Sequence, residues 1–452
     1  MHPKKNTLYD LQKIDYALAH VIWKITLGCN FRCIHCGFAA GKRDPNELTL
    51  EEALDVCDQL KELQAENVVL TGGEPLLRKD WPLLAKRLSS GTDRVDKVHI
   101  VSNGWTHSDR TYEQFLDSGV SQLTLSIDGN RQVHDRVRGQ GSFDRVVNAM
   151  KLANKWSFPF GVITTVHKLN LPILDELFAI LSENQVVFWQ LELADGVGYM
   201  DVHRDFMIAP SDLELLSNKM IEFLERSDGK MQVVPGNNLG YFTEEDRILR
   251  GDYFGGCYTG CFAGIFVMSI EPNGDIRGCP VLPKEFGEGN VRKQRIRDIW
   301  LDKNKFSYNR QWDVNSLSGF CGGCEHSLTC RGGCMASRIG AIGDLSHNLY
   351  CLYRVKKEKE NGRTLELPSH PGPMNPRPQL DPYAEAVFLK GRNPDNERQT
   401  QELSSQFSPV ASPQKILEIN KGQMAVATTM IRREVNENGV PSTSPKTASM
   451  RK

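Results

Sequence analysis

The sequence predicts an α/β fold in which a partial (βα)6 barrel of the TIM type leads into a small cysteine-rich domain and then a mostly disordered tail. Three observations point there. Between residues 21 and about 192, short β-branched runs alternate with amphipathic helical stretches, the pattern of a parallel sheet wrapped by helices. Six such units are too few to close an eight-stranded barrel. The 12 cysteines crowd into two regions, with Cys29, Cys33, Cys36 and Cys57 early and the other eight from Cys257 to Cys351. From residue 361 onward, 92 residues hold 11 of the 22 prolines and neither Cys nor Trp, a composition with too little apolar surface to build a core.

Taken in order, strands are predicted at 21–27, 67–71, 97–102, 121–127, 161–167 and 186–193. The first helix begins after Thr49, whose hydroxyl makes a capping box with Glu52. Ala53, Val56, Cys57, Leu60 and Leu63 then recur at helical spacing, so Cys57 falls on a buried face and reads as a small, inert hydrophobe. Trp23 and Trp189 read as packed strand residues. Gly91, Gly104, Gly119 and Gly129 mark connections. A helix is expected at 210–226, then an irregular, glycine-rich stretch at 236–261. The cysteine-rich segment has few long periodic runs, and a small fold with little core needs metal to hold it. The division that results is 1–20 as an N-terminal segment, 21–227 as the barrel, 228–256 as a bridge, 257–356 as the cysteine-rich domain and 357–452 as the tail. Within the tail, 414–435 has the pattern of a transient helix. No internal repeat suggests a solenoid or propeller.

At 452 residues the chain has room for about two or three domains. Its 55 Lys+Arg and 56 Asp+Glu leave a formal net charge of −1, which gives no bulk attraction to nucleic acid or to an anionic membrane. No apolar run approaches the ~20 residues of a bilayer span, and the lysine-bearing start lacks a signal peptide's apolar core. A cytoplasmic protein without nucleic-acid or membrane partners is the expectation. In a reducing compartment, clustered cysteines read as metal or cluster ligands before disulfides.

Cys29, Cys33 and Cys36 form C-x3-C-x2-C directly after the first strand, where barrels place their active-site loops. Three thiolates on one loop ligate three irons of a [4Fe–4S] cluster and leave the fourth open to a substrate or cofactor. The alternatives on spacing alone are a zinc knuckle and coincidental core cysteines. Further along, the second strand ends in Thr71-Gly72-Gly73-Glu74-Pro75, the third in Ser102-Asn103-Gly104 and the fourth in Ser126-Ile127-Asp128-Gly129. The segment from His134 to Gly139 then carries Arg138. With these elements the sequence resembles the radical SAM superfamily. The resemblance implies that Gly72, Gly73, Glu74 and Pro75 hold the amino group of S-adenosylmethionine (SAM). It also implies that Ser102, Asn103, Ser126 and Asp128 lie near its ribose and methionyl groups, and that Arg138 approaches its carboxylate. Adjacent glycines allow backbone to approach a ligand, and Glu74 can accept from an ammonium. One departure is His35, standing before the third cysteine where the family usually has an aromatic residue. Its imidazole can stack on adenine or donate to it, and as a donor it can tune a cluster potential.

The other eight cysteines contain two patterns: C-x12-G-x4-C over Cys261, Gly274 and Cys279, and C-x2-C-x5-C-x3-C over Cys321, Cys324, Cys330 and Cys334, with Cys351 after a gap. Two zinc sites of a ribbon-like domain are the bland reading. The layout resembles the SPASM extension of peptide-modifying radical SAM enzymes. By that resemblance Cys257, Cys261, Cys279 and Cys334 hold one auxiliary [4Fe–4S] cluster and Cys321, Cys324, Cys330 and Cys351 the other. Three clusters and SAM are thus the implied cofactors.

The implied chemistry is one-electron reductive cleavage of SAM, abstraction of a substrate hydrogen by the 5′-deoxyadenosyl radical, and net oxidation by way of the auxiliary clusters. The substrate class that the resemblance favours is a short, ribosomally made precursor peptide, crosslinked or given a thioether. A flavodoxin- or ferredoxin-type reductant is the expected electron donor. The 20 residues before the first strand are too few for a winged-helix leader-binding module, which leaves recognition to a separate protein or to the barrel. Sulfatase maturases carry Asp directly after the second cysteine of C-x12-G-x4-C; Pro280 stands there, which disfavours that branch. A small-molecule dehydrogenase or epimerase is the main alternative, and a non-enzymatic iron–sulfur protein leaves the Gly72-Gly73-Glu74-Pro75 strand end unexplained. Glu192 and Asp195, at the end of the sixth strand, are the candidate acid or base, against the reading that they are solvated loop carboxylates.

Overall fold

The computed structural model describes residues 17–251 and 258–368. Seven parallel strands lie side by side in chain order: β1 (His20–Thr26), β2 (Asn67–Gly72), β3 (Lys97–Ser102), β4 (Gln122–Ser126), β5 (Phe160–Val166), β6 (Phe188–Leu193) and β7 (Gln232–Pro235). Helices alternate with them: α1 (Leu50–Glu62), α2 (Trp81–Ser89), α3 (Asp109–Ser118), α4 (Arg131–Arg138), α5 (Ser142–Lys155), α6 (Leu174–Glu183), α7 (Asp212–Arg226) and α8 (Glu244–Arg250).

The sheet does not stop at β1. Strand β8 (Val267–Ile270) pairs with it in parallel on its other side, and β9 (Asp275–Arg277) and β10 (Gly289–Asn290) continue antiparallel, making one ten-stranded sheet. The cysteine-rich half then folds as short helices, α9 (Ile296–Leu301), α10 (Ser307–Arg310), α11 (Gly319–Gly322), α12 (Ser327–Cys330), α13 (Met335–Ile342) and α14 (Leu352–Glu360). None of the described helices is long and apolar enough to cross a membrane.

Strand alternation decides what faces where. Val21, Trp23 and Ile25 are fully buried in the core shared with the helices, as are Trp189 and Leu191, and Trp189 stacks on Phe223 of α7 at 5.4 Å. Burial of each such side chain contributes about 1.5–3 kcal/mol. The opposite parity (Lys24 and Thr26 on β1, Thr165 on β5, Gln190 and Glu192 on β6) forms the inner face. The capping box at Thr49 is present, with Glu52 N–H donating to the Thr49 hydroxyl and Thr49 N–H to the Glu52 carboxylate, and Cys57 is fully buried in the core.

Three boundaries differ from expectation. Residues 228–256, read as a bridge, contain β7, which extends the six-stranded sheet; at four residues ending in Pro235 it is too short for a periodicity signal. The stretch read as irregular holds α8, whose N-cap Thr243 accepts from Asp246 N–H. Acidic residues occupy its first turn and arginines its last, complementing the helix dipole. Helix α14 runs past 356 to Glu360. Cys257, residues 1–16 and 369–452, including the 414–435 patch, lie outside the described residues.

Candidate functional site

The loop after β1 carries Cys29, Cys33 and Cys36, and backbone hydrogen bonds fix it on several sides. Cys29 N–H donates to Gly41 O at 2.9 Å, Ile34 N–H to Val137 O at 3.0 Å and Tyr199 N–H to Cys36 O at 2.9 Å. The three thiols lie within one another's electrostatic reach, and burial pushes Cys33 up to about 12.

The glycine pair at the end of β2 serves this loop directly. Gly73 N–H donates to Thr26 O and Glu74 N–H to Gly28 O, each at 2.8 Å. A Cβ on Gly72, whose φ is +138°, would sit 2.1 Å from Thr26 O, and one on Gly73 would sit 2.2 Å from Gly28 O. The sequence reading gave these glycines to ligand approach. The structure shows that the cysteine loop's own backbone already needs the space.

Glu74 is likewise engaged inside the protein. It is fully buried, and its carboxylate accepts from Ser102 Oγ at 2.9 Å, Asn103 N–H at 2.8 Å and Leu76 N–H at 3.3 Å. Burial still pushes its pKa up to about 7 against those hydrogen bonds. Asn103 in turn donates from its side chain to Asn30 in the cysteine loop. Glu74, Ser102 and Asn103 therefore knit the ends of β2 and β3 to the loop, and Pro75 opens the turn that follows. Ser126 lies buried at the end of β4.

Asp128 is the hub of the opposite side. Its carboxylate accepts from Arg138 Nε at 2.5 Å and from Thr165 N–H at 3.0 Å, and lies 3.2 Å from His35 Nε2. Burial alone would raise its pKa, but Arg138 and His35 hold it well below the usual carboxylate range. Burial pulls His35 down to about 3 against the opposing pull of Asp128. His35 Nδ1 and His167 Nε2 are buried with no hydrogen-bond partner among the described residues, and the two rings lie 5.8 Å apart.

The later cysteines separate into two groups. Cys261, Cys279 and Cys334 lie within one another's electrostatic reach. Cys321, Cys324, Cys330 and Cys351 form the second and line one cavity with Phe242, His326 and Tyr353. Phe242 stacks on His326 there at 4.3 Å. Burial pushes Cys279 and Cys351 to about 12. A single zinc needs its ligands about 2.3 Å from one point; among the described residues no three Cys, His, Asp or Glu side chains are placed to hold one ion.

Glu192 lies within electrostatic reach of Asp128 and Arg138, and Asp195 within that of Cys279 and Cys334. Burial, then the neighbouring Asp195, pushes Glu192 to about 7, and Thr165 Oγ1 donates to it at 3.4 Å. Asp195 is raised to about 6 by burial, although Ser337 Oγ and Asn238 Nδ2 donate to it at 2.7 and 3.0 Å. Both are more enclosed than the solvated-loop reading supposed. Ser337 belongs to α13, so Asp195 also ties the barrel to the cysteine-rich half. Gly196 and Gly340 meet backbone to backbone beside it.

Two groups fit what the residues present. Buried and partly buried sulfurs, grouped as three, three and four with Cys257 outside the described residues, suit iron–sulfur clusters whose metal replaces the thiol protons. Unpartnered imidazole nitrogens, together with an arginine that commits its Nε to Asp128, suit a polar cofactor carrying a carboxylate and an adenine.

A parallel half-barrel with three thiols on its first loop, backed by two further thiol groups, defines an iron–sulfur protein working at the C-terminal ends of its strands. The chain belongs to the radical SAM superfamily and carries a SPASM domain. Residues 23–179 match the radical SAM superfamily and residues 261–325 the SPASM iron–sulfur cluster-binding domain. An AdoMet-dependent heme synthase of Methanosarcina barkeri is 31% identical over 355 residues, 75% of this chain and 97% of that protein. The mycofactocin maturase MftC of Mycolicibacterium smegmatis is 29% identical over 333 residues, 70% of this chain and 78% of that protein. In fold, the chain resembles Streptococcus suis SuiB bound to the precursor peptide SuiA (TM-score 0.57, 18% identity, 73% of this chain and 74% of that one). It also resembles anSMEcpe with bound AdoMet (TM-score 0.59, 16% identity, 85% and 98%).

Proposed function

We propose that this chain reductively cleaves SAM and oxidatively modifies a ribosomally made peptide, forming a crosslink or thioether. The observation that carries the reading is a pair of half-buried carboxylates of raised pKa, Glu192 within electrostatic reach of Asp128 and Arg138 and Asp195 within reach of Cys279 and Cys334. When bound and reduced, the cluster with SAM supplies a 5′-deoxyadenosyl radical. Cys29, Cys33 and Cys36 would hold that cluster, Arg138 would face the SAM carboxylate and His35 its adenine. Gly72, Gly73, Glu74, Ser102 and Asn103 would back the SAM site, with Pro75, Ser126 and Asp128 around it. Net oxidation removes a hydrogen atom, an electron and a proton from the substrate: the radical would take the hydrogen atom, auxiliary clusters held by the later cysteines would supply the electron acceptor, and Glu192 accepts the proton. Cys257, Cys261, Cys279 and Cys334 would bind one auxiliary [4Fe–4S] cluster and Cys321, Cys324, Cys330 and Cys351 the other.

The mycofactocin maturase relative supports a short precursor peptide as substrate. A separate leader-recognition protein and a flavodoxin- or ferredoxin-type reductant complete the proposed partners. A second reading, action on a small molecule, is favoured by the heme synthase relative, which is matched over nearly its whole length. Anaerobic incubation with SAM, strong reductant and short peptides encoded beside the gene, read by mass spectrometry, separates the two. The expected result is 5′-deoxyadenosine together with a peptide lighter by a pair of hydrogens. SAM cleavage that leaves every peptide unchanged and instead consumes a small molecule overturns the peptide reading.

A further inference from the structure

Lys24 is a buried lysine on the inner face of β1, 3% exposed. Its Nζ lies 2.7 Å from Glu271 Oε2, donates to Pro280 O at 2.9 Å and sits 4.7 Å from the centre of the Phe38 ring. Phe38 follows Cys36 by two residues, and Pro280 directly follows Cys279. In the same seam Gly37 faces Val281 so closely that a Cβ would lie 3.1 Å from its side chain. Glu271, at the end of β8, is shared with Arg277, 3.4 Å away, and Arg277 donates to Leu282 O. Glu271 steadies the Lys24 ammonium against the burial that lowers its pKa, and the Cys279 sulfur lies within the electrostatic reach of Lys24 as well as of Asp195.

An ion pair this deep is poor value for stability, because desolvating both partners offsets most of their attraction and a packed methionine would fill the same volume. What the pair does supply is a fixed charge in the seam beside Cys279. Resting on the reading of Cys261, Cys279 and Cys334 as cluster ligands, we propose that Lys24 is a positioning residue that holds the loop after Cys279 against the loop after Cys36. In that place it also raises the reduction potential of the Cys279-side cluster. A fixed positive charge at low dielectric favours the more negative, reduced state of a nearby centre.

The test is a redox titration of the reconstituted full chain, followed by electron paramagnetic resonance, in a background with Cys29, Cys33 and Cys36 all changed to Ser so that only auxiliary signals remain. Lys24→Met should shift one of the two auxiliary midpoints to lower potential and leave the other in place, with Lys24→Arg restoring it. Glu271→Gln, which removes the negative partner, should shift the same midpoint upward. Opposite shifts from these two variants support the proposal even if Lys24→Met loses some iron. Full iron with unmoved midpoints in both variants, or equal iron loss in Lys24→Met and Lys24→Arg with no shift in Glu271→Gln, overturns it. An otherwise unchanged background protein that binds no auxiliary iron overturns the ligand reading and this proposal together.

Discussion

Asn103, just past the end of β3, donates its backbone N–H to the buried carboxylate of Glu74, just past the end of β2, at 2.8 Å. One carboxylate so joins two strand ends, and through the Asn103 side chain it reaches the cysteine loop as well. Glu74→Gln keeps the shape but turns one acceptor into a donor facing an N–H or hydroxyl. Hydrogen bonds to charged groups contribute about 1.5–3 kcal/mol each, so a loss on that scale is expected. A lower melting temperature and SAM affinity reduced about tenfold or more by calorimetry would follow. Wild-type values for both would show that Glu74 does not organise the site.

Gly73→Ala places a methyl group 2.2 Å from the Gly28 carbonyl, and that obstacle is backbone. The cysteine loop must move away from β2. Iron in a variant whose later cysteines are all Ser should fall to a small fraction, while far-ultraviolet circular dichroism stays near wild type. Full loading would show that the loop tolerates the displacement.

Grouping of the thiols makes iron countable. Three [4Fe–4S] clusters give about twelve irons per chain after anaerobic reconstitution. Cys330→Ser, in the outer cavity, should lower the count by up to about four and leave SAM cleavage measurable. A wild-type count near four would leave the barrel cluster alone.

Glu192, raised to about 7, should become increasingly available as a base as pH rises through that value. Peptide product should rise as pH increases through about 7, and Glu192→Gln should remove that limb and the product while still forming 5′-deoxyadenosine. Parallel loss of 5′-deoxyadenosine would refute the assignment. The same shift has a consequence for folding. Between the usual carboxylate value of 4.5 and about 7 the folded chain holds a proton that the unfolded chain releases. This group's contribution to stability therefore falls as pH rises across that window, and Glu192→Gln should flatten the fall.

Arg292, beyond β10, makes a bidentate pair with Glu52 of α1 at 2.6 and 2.7 Å, joining the two halves at the surface. Its hydrogen bonds, helped by Thr49 N–H, hold the Glu52 carboxyl down at about 2. Their contribution is present above the usual carboxylate range and is lost as pH falls toward 2. Both side chains are about one-third exposed. Arg292→Ala should therefore cost less than about 1 kcal/mol, and the cost should shrink with added salt. A larger, salt-independent loss in thermal melts would mean that its hydrogen bonds to the Asn46 and Asn273 carbonyls dominate.

Legibility in the sequence followed the reach of each signal. Strand β3 falls at 97–102 as expected, and the Thr49 capping box is local chemistry that needs no tertiary information. The grouping of Cys334 with Cys261 and Cys279 was legible only through family resemblance, because the chain between them folds back over more than fifty residues. Strand β7 was missed because four residues carry no periodicity. The engagement of Glu74 by Asn103, and of Gly73 by Gly28, was hidden because both contacts join residues far apart in sequence. Lys24 does leave a trace, as the one lysine at an inward position in the run from His20 to Thr26.

Strand β1 has a hydrogen-bonded neighbour on each side, β2 from the barrel and β8 from the cysteine-rich half. The two halves are therefore not beads on a string. A chain cut after β7 would leave the long, apolar β1 as a raw sheet edge, prone to pair with another molecule. In the intact protein the same strand works as a ruler, since the separation between the first thiol loop and the Cys279 loop is set by main-chain bonding rather than by a flexible tether.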